Sequence, residues 1–328
     1  MARPVLVWLL WLEADYRMKL SVVTTLYQSA PYIEEFVRRV SVEVKKITDD
    51  YEIVMVDDGS PDNSLITALN VQKSDPHLQI LELSRNFGHH KAMMAGLEFA
   101  RGELVFLIDV DLEEPPELMT RFHDEMENGN WDVIYGVQKE RKGGYIKKVG
   151  GRFGWWLIQL LVPVEIPYNL STVRLMRSVY VRQLIRHKEH MTAIGGLWVL
   201  TGFRQNGLLF DKTSRGESTY SFVKRLRSLL DSVTSFSQVP LYGVFFLGLV
   251  IFLVSFLVTI SLFIRKLTGY VLGGWISVMV SVWGLGGLIL LCIGLVGLYI
   301  SRIFIETKNR PYVIIRNVFK THDRIPKE

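Results

Sequence analysis

Two aspartates, Asp109 and Asp111, lie at the end of the apolar run ELVFLID at 103–109. Alternate residues of an extended strand share one face, so both carboxylates are expected to come together where the strand leaves the core. Two hard oxygen ligands of this kind suit Mg²⁺ or Mn²⁺. A divalent ion held there bridges a diphosphate and neutralises the charge that builds on it as a leaving group. The alternative, for the pair alone, is two solvated loop carboxylates or helix caps before Pro116.

Further polar side chains follow the neighbouring apolar runs. Asp57 and Asp58 end one run, the segment Ser84–Gly88 follows another, and Glu113 and Glu114 add negative charge beside the aspartate pair. So many carboxylates at one place require a cation. No GxGxxG or GxxxxGKS loop occurs at these positions, which argues against a dinucleotide-cofactor or P-loop enzyme.

The elements that position these residues follow from hydrophobic periodicity. Apolar runs of strand length alternate with amphipathic stretches over the first 140 residues or so. This order predicts an α/β fold with a mainly parallel sheet covered on both faces, with ligands at the carboxyl ends of the strands. The predicted strands are residues 20–26, 51–58, 78–84, 103–109 and 131–137, and the predicted helices are residues 31–48, 64–74, 91–100 and one from about residue 116.

Hydrophobicity is concentrated near the C-terminus. Residues 240–264 and 270–300 are each long and apolar enough to cross a bilayer, which predicts a two-helix transmembrane hairpin. Basic residues flank the pair on both outer sides, so both termini and the catalytic domain are expected to be cytoplasmic, with residues 301–328 as a basic cytoplasmic tail. Glycines in the second span permit close helix contact, within the hairpin or in a homo-oligomer.

Composition sets the remaining limits. The chain has 328 residues, with 38 Lys and Arg against 33 Asp and Glu, and its pI of about 9.1 suits binding to phosphates and anionic lipid. No aromatic-interleaved basic module is present, so nucleic acid is not an expected partner. A single cysteine, Cys292, excludes a disulfide scaffold and a cysteine-based zinc site. Residues 1–17 are expected to be an upstream extension or the product of a mis-assigned start.

Five motifs in order, followed by the two apolar runs, carry a family resemblance. They are VMVDDGS (54–60), LSRNFGHHKAMMAGLEFARGE (83–103), LIDVDLEEPPEL (107–118), TGFRQ (201–205) and SRGESTYSFVKRL (214–226). Together they resemble the polyprenyl-phosphate glycosyltransferases of family 2, related to dolichyl-phosphate mannose synthase and bactoprenol glucosyltransferases. The resemblance implies a GT-A domain over residues 18–239, and inverting transfer of a sugar from a nucleotide-diphosphate sugar to polyprenyl phosphate (undecaprenyl or dolichyl) at the cytoplasmic membrane face.

The resemblance also implies roles for individual residues. Asp58 matches an acidic residue that faces the nucleotide, and Glu113 stands where relatives usually have Gln, as a metal or sugar contact. Arg141 matches a basic residue that follows the fifth strand, and Arg215 matches an arginine that holds phosphate near the acceptor site. The bidentate donors of arginine suit phosphate at both positions, and the alternative for each is a surface ion pair. The resulting catalytic candidates are Asp109, Asp111 and Arg215, the metal candidates are Asp109, Asp111 and Glu113, and the substrate-binding candidates are Thr25, Tyr27, Asp57, Asp58, Arg85, Asn86, Gly88, Asp109, Arg141, Thr172, Arg174 and Arg215.

Two motifs depart from the family pattern. Residues 25–29 read TLYQS where relatives often read PxYNE, so an acidic contact to the nucleoside is missing. Thr172 replaces the aspartate of GDFRLM, a proposed general base. An acceptor phosphate is already ionised at neutral pH, so this loss is compatible with transfer. The segment instead becomes a candidate for sugar specificity, through Asn169, Ser171, Thr172 and Arg174.

Other segments leave alternatives open. Residues 145–162 and 218–232 mix basic, aromatic and aliphatic side chains, which predicts interfacial helices or amphipathic core helices. His89 and His90 start a helix and are expected to contact phosphate or nucleotide rather than share a metal. Two other functions fit the same motifs: a processive polysaccharide synthase, and a non-catalytic lipid-binding or assembly protein on a degenerate transferase fold.

Overall fold

The computed structural model describes residues 18–139, 167, 169–187, 194–212, 239–267, 274–308 and 310–320. These residues fall into two compact units. One contains the residues up to 212 and residues 311–320, and the other contains residues 239–308 and Arg310. The N-terminal extension, the two predicted interfacial helices, Arg141 and Arg215 lie outside the described residues.

Eight strands among the described residues form one sheet in the order β7-β5-β6-β4-β1-β2-β3-β8. The central strands β4, β1, β2 and β3 are parallel neighbours, and they are apolar runs because helices cover both faces. The bounds are β1 Met18–Leu26, β2 Tyr51–Asp57, β3 Leu78–Leu83, β4 Gly102–Leu107, β5 Val133–Gln138, β6 Leu170–Arg177, β7 Gln205–Phe210 and β8 Ile315–Phe319.

The sheet is mixed, which corrects the expectation of a mainly parallel sheet. β6, which periodicity did not predict, lies between β4 and β5 and runs antiparallel to both. β7 pairs in parallel with β5, and β8 runs antiparallel to β3. The five predicted strands and the α/β class are confirmed, whereas the order of strands beyond β4 depends on pairings between distant segments.

Six helices of this unit, among the described residues, follow or connect the strands. The first of them buries Ile33, Phe36, Val37 and Val40 at helical spacing, which explains why this amphipathic segment packs on the sheet. The bounds are α1 Ile33–Val44, α2 Ser64–Gln72, α3 His89–Phe99, α4 Leu118–Gly129, α5 Ser178–Leu184 and α6 Ile194–Leu200.

The C-terminal segment is partly a strand of this sheet. We expected residues 301–328 to be a basic tail, but β8 pairs with β3 from Ile80↔Phe319 to Leu83↔Ile315. The correction has a simple cause: β8 is a five-residue edge strand that carries a charged residue, Arg316, and its partner is more than 230 residues away in sequence.

The second unit contains two long helices, α7 Val239–Leu267 and α8 Trp275–Thr307. By length and composition, one stretch of the described helices can cross a membrane, Gly284–Thr307, with a mean hydropathy of 2.4. The apolar stretch Val239–Ile251 is shorter. Membrane association is therefore supported by one candidate span, and the two-span hairpin stays a prediction.

Candidate active site

The loop after β2 is fixed to the loop after β3 by Asp58. Its carboxylate accepts hydrogen bonds from the backbone N–H groups of Phe87 at 2.7 Å and Gly88 at 3.0 Å. Gly59 has φ +61°, and a Cβ there would lie 2.5 Å from the carbonyl carbon of Arg85, so only glycine allows this close approach. Burial raises the pKa of Asp58, against these hydrogen bonds. Asp58 therefore holds the predicted nucleotide-binding loop in place.

Asp57, which ends β2, is held differently. Its side chain is buried, and its Oδ1 has no hydrogen-bond partner among the described residues. Burial raises the pKa of Asp57 to about 6, and the charges of Glu82 and Asp58 act in the same direction. One oxygen of this buried carboxylate therefore lacks a hydrogen-bond donor among the described residues.

His89, the first residue of α3, joins the first and fourth strands. Its Nδ1 lies 2.9 Å from Thr25 Oγ1 and its Nε2 lies 3.3 Å from Asp109 Oδ1. Burial opposes protonation of His89, but the hydrogen bond to Asp109 and the charges of the nearby aspartates outweigh it and raise the pKa of His89. The sequence located His89 at a helix start, but its contact with Asp109 was missed because residues 89 and 109 meet only in the folded sheet.

Asp109 and Asp111 follow β4 in a short turn. Asp111 Oδ1 accepts a hydrogen bond of 2.9 Å from the Glu113 backbone N–H, and the buried Leu112 between them has φ +59°. A non-glycine residue in this left-handed conformation is strained, and such strain persists where the surrounding structure imposes it. Burial raises the pKa of Asp111, and the charges of Asp109 and Glu113 add to the effect.

Lys212, two residues after β7, is a cation at this acidic turn. Its Nζ lies 3.1 Å from Glu113 Oε2 and 4.0 Å from Glu114 Oε1. Glu113, a predicted metal or sugar contact, is therefore ion-paired in this structure. No local sequence signal identifies Lys212, because nearly a hundred residues separate it from the carboxylates.

Glu114 connects the acidic turn to β6. It is fully buried, one oxygen accepts a hydrogen bond from Ser171 Oγ, and Oε2 has no partner among the described residues. Burial raises the pKa of Glu114 to about 7, and the charge of Asp109 contributes to this rise. The predicted specificity segment thus lies in direct contact with the acidic turn.

Arg174 lies in β6 with its side chain completely buried. Its guanidinium donates to the carbonyl oxygens of Thr172 at 3.2 Å and Ser171 at 3.3 Å, and packs 3.0 Å from the ring centre of Trp198. We expected Arg174 to bind substrate, but its burial does not support a direct contact. It holds the backbone of the segment that carries Thr172.

The remaining candidates lie on exposed loops. Tyr27 is 47% exposed, and Arg85 stacks over the Phe87 ring at 4.1 Å and donates to the Asn86 carbonyl at 3.0 Å. Their roles, and that of Gly88, stay predictions.

Asp62, which the sequence analysis did not select, links the loop after β1 to the loop after β2. It accepts hydrogen bonds from Ser60, Ser64 and the Ala30 backbone N–H. These hydrogen bonds outweigh the effect of burial and lower the pKa of Asp62 to about 2.

The donor set suits a divalent cation whose remaining ligands come from elsewhere. Among the residues that the structure describes, no three His, Cys, Asp or Glu side chains are grouped to hold a metal. Mg²⁺ is usually held by one or two carboxylates together with substrate phosphates and water. Asp109 and Asp111 supply two such carboxylates. Burial and the charges of Asp109 and Glu113 raise the pKa of Asp111, so a bound cation would compensate this site, and the residues fit a metal bound together with a diphosphate.

Comparison with known proteins gives consistent matches. The model of the family described as Glycosyl transferase family 2 matches residues 21–187. A Mycobacterium tuberculosis (strain CDC 1551 / Oshkosh) protein named as a glycosyltransferase is 47% identical over 307 residues, covering 92% of this chain and 89% of that protein. The uncharacterized glycosyltransferase YkcC of Bacillus subtilis (strain 168) is 31% identical over 303 residues, covering 91% and 94% of the two chains.

One solved structure with a similar backbone is the mannosyltransferase PcManGT from Pyrobaculum calidifontis in complex with GDP-Man and Mn²⁺. Its TM-score is 0.48 at 16% identity, over 71% of this chain and 70% of that one. Backbone similarity at this level does not indicate which ligands this chain binds. The residues matched by the family model carry the acidic turn and the loops tied by Asp58.

Proposed function

Because this chain belongs to glycosyl transferase family 2, we propose that it transfers a sugar to polyprenyl phosphate at the cytoplasmic face of a membrane. The chain is a glycosyltransferase that takes its sugar from a nucleotide sugar, and its mixed α/β sheet is GT-A-like. The lipid acceptor and the membrane side are the parts of the proposal that need separate support.

The return of the chain to the sheet after α8 is the observation that carries the proposal. β7 precedes α7 and β8 follows α8, and both strands belong to one sheet. A folded sheet lies on one side of a membrane, so the chain between these strands crosses it an even number of times. If Gly284–Thr307 crosses, a second crossing is required, and the 29 residues of α7 are long enough for it.

This topology supports an acceptor that is itself a membrane lipid. If α7 and α8 both cross the membrane, the chain tethers the sheet to the bilayer through both helices, and a lipid phosphate is an acceptor available there. The charge distribution supports a cytoplasmic sheet, because the only basic residues at the turn between the two helices are Arg265 and Lys266 in the last turn of α7, whereas both outer flanks are richer in basic residues.

The acidic turn supplies the groups that act on the donor. Asp109 and Asp111 would hold Mg²⁺ or Mn²⁺ through their carboxylates, and this ion, when bound, stabilises the charge of the nucleoside-diphosphate leaving group. His89 holds Asp109 in position, and Lys212 balances the charge of Glu113. Arg215 stays a predicted ligand of the acceptor phosphate, and Arg141 stays a predicted substrate contact.

The attacking group needs no side-chain base. A phosphomonoester has a second pKa of about 6, so the acceptor oxygen is ionised at neutral pH. Its in-line attack on the anomeric carbon forms the new C–O bond while the bond to the donor diphosphate breaks, and the electron pair leaves with the nucleoside diphosphate. The configuration inverts in this single displacement. Thr172 in place of an aspartate is compatible with this chemistry.

The start of β6 is the proposed determinant of sugar specificity. Ser171 contacts Glu114 beside the aspartate pair, and Asn169 has φ +59° and donates to the Gln138 carbonyl. Thr172 follows these residues directly. A Thr172→Asp variant that keeps an unchanged preference among nucleotide sugars would count against this assignment.

We also propose a homo-oligomer. A Cβ added to any of the five α8 glycines from Gly284 to Gly297 meets nothing within 4 Å among the described residues, so this surface has room for a neighbouring helix. Native mass spectrometry in detergent tests it, and a monomer would reject it.

The decisive experiment is a transfer assay with the full chain in detergent, a short polyprenyl phosphate, Mg²⁺ or Mn²⁺ and a panel of nucleotide sugars. The expected product is a lipid carrying one sugar through phosphate, formed only with metal. Products with many sugars would favour a processive synthase. Failure to form product with any donor, by a folded protein that binds the lipid, would favour the non-catalytic alternative.

A further inference from the structure

We propose that residues 311–320, the C-terminal strap, position the donor loop Ser84–Gly88 and the first turn of α3. The strap belongs to the same compact unit as the sheet. The inference rests on the proposed function, in which Arg85, Asn86 and Gly88 of this loop are candidates for binding the nucleotide-sugar donor. It assigns to the residues after the last helix a part in donor binding that no motif in the sequence suggests.

The direction of β8 brings the start of the strap to the end of the sheet that carries the site. Because β8 is antiparallel to β3, Ile315 pairs with Leu83 at the carboxyl end of β3. One residue beyond, the Ser84 backbone N–H donates to the Ile314 carbonyl at 2.9 Å. Ser84 is the first residue of the donor loop, so a backbone hydrogen bond from the strap fixes where that loop begins.

A second contact reaches α3 directly. The ammonium of Lys91 lies 5.3 Å from the ring centre of Tyr312, within the range of a cation–π interaction. Lys91 is in the same helical turn as His89, which contacts Asp109. The loop between Ser84 and α3 is therefore held from the strap at its first residue and just past its last, and by Asp58 at Phe87 and Gly88.

A third group of contacts neutralises a buried carboxylate beside the site. Glu82 pairs in register with Asp57, and its charge contributes to the raised pKa of Asp57. The strap supplies the compensating donors: Asn317 Nδ2 lies 2.7 Å and Arg316 lies 3.1 Å from the Glu82 carboxylate. The strap thus affects both the position of the donor loop and the charge next to Asp57.

The strap has a matched contact at the opposite end of α3. Lys320 Nζ lies 5.6 Å from the ring centre of Phe99, the last residue of that helix. This pair has the same chemistry as Lys91 and Tyr312 but lies at the end of α3 remote from the acidic turn. A variant that loses the Lys320–Phe99 contact therefore serves as a control, because it weakens strap docking without touching the donor loop.

The test compares Tyr312→Ala, Tyr312→Phe and Lys320→Met in the full chain. A surface cation–π pair corresponds to a roughly two- to fivefold change in an equilibrium constant. We expect Tyr312→Ala to raise the donor KM by that factor with kcat within about twofold, whereas Tyr312→Phe keeps the ring and the wild-type KM. Lys320→Met should leave the donor KM unchanged. An unchanged KM in Tyr312→Ala, or an equal rise in Lys320→Met, would overturn the proposal.

Amide hydrogen exchange keeps this inference separate from the proposed function, because it needs no substrate. In Tyr312→Ala we expect faster exchange at the amides of residues 84–92, and Lys320→Met should leave these amides protected. If the amides of residues 84–92 exchange at the wild-type rate in both variants, the strap does not hold the loop. A lack of sugar transfer to lipid, with this exchange pattern intact, would reject the lipid acceptor and leave the strap in place.

Discussion

The carboxylates after β2 and those after β4 are held by different kinds of partner. Asp58 accepts hydrogen bonds from two backbone N–H groups, and Asp62 accepts from two hydroxyls and two backbone N–H groups, so both are anchors for loops. Asp111 accepts a hydrogen bond from one backbone N–H, that of Glu113, but Asp109, Asp111 and Glu113 also face a histidine, one another and one lysine. Carboxylates therefore have two roles in this protein: those after β2 anchor loops, and those after β4 concentrate negative charge.

The difference explains which region needs a cation. Backbone amides compensate a carboxylate permanently, whereas neighbouring carboxylates repel each other until a positive charge arrives. Among the described residues, the acidic turn gains Lys212 as an ammonium close to Glu113 and Glu114. A metal bound with a diphosphate would complete that compensation at Asp109 and Asp111.

The largest expected effect comes from Asp111→Asn. Loss of one metal-binding carboxylate should lower sugar transfer by about 10²- to 10³-fold, the range typical for loss of a group that stabilises transition-state charge. The unfolding temperature at neutral pH should not fall and should rise slightly, because burial and the charges of Asp109 and Glu113 disfavour the ionised form of Asp111, and asparagine carries no charge. Asp124→Asn, at a 69% exposed carboxylate of α4, is the matched control. Retention of full transfer in Asp111→Asn would remove Asp111 from the metal site.

Asp58→Ala should remove the hydrogen bonds that link the loop after β2 to the loop after β3. It leaves the N–H groups of Phe87 and Gly88 without their acceptor, which costs about 2 to 3 kcal/mol of unfolding free energy. Asp58→Asn keeps one acceptor oxygen and should lose about half as much. Thermal unfolding in detergent measures both variants, and the donor KM should rise in the same order. Equal unfolding temperatures for Asp58→Ala and wild type would show that the loop is held by other contacts.

Lys212→Met should lower the stability of the protein and strengthen metal binding at the acidic turn. Glu113 and Glu114 lose their cation, so the unfolding free energy should fall by about 2 kcal/mol. The same loss makes the turn more negative, so Mn²⁺ should bind several-fold more tightly. Calorimetric titration with Mn²⁺ measures the second effect, and Lys212→Arg should preserve wild-type behaviour. Weaker Mn²⁺ binding in Lys212→Met would mean that Lys212 supports the ion rather than competing with it.

The smallest expected effect concerns the pH dependence at Asp57. Its pKa is raised to about 6 in the folded protein, so the folded state is favoured when Asp57 is protonated. That contribution is present below about pH 4 and is lost as the pH rises through about 6. Asp57→Asn should therefore match wild-type stability near pH 4 and exceed it above pH 7, by at most about 3 kcal/mol. Unfolding temperatures of both proteins from pH 4 to 8 give this difference, and a constant offset would contradict it.

The sequence predicted the central strands and the helices between them because their periodicity is local. β1 to β5 and α1 to α4 appear where the apolar spacing indicates them. It did not predict β6, which enters the sheet antiparallel between β4 and β5, or β8, which pairs at the far edge. Strand order depends on pairing between distant segments. A strand as short as β8, with five residues, has no sequence pattern that identifies its partner.

The sequence by itself determined the α/β class, the acidic motif after β4 and the apolar C-terminal segments, because each is encoded by neighbouring residues. Only the tertiary structure decided what each polar group does. In the folded protein the Arg174 side chain of β6 is buried, Lys212 forms an ion pair with Glu113, and Asn317 donates a hydrogen bond to Glu82. These contacts join residues tens to hundreds of positions apart, and whether a carboxylate becomes an anchor or a ligand depends on the partners that folding brings to it.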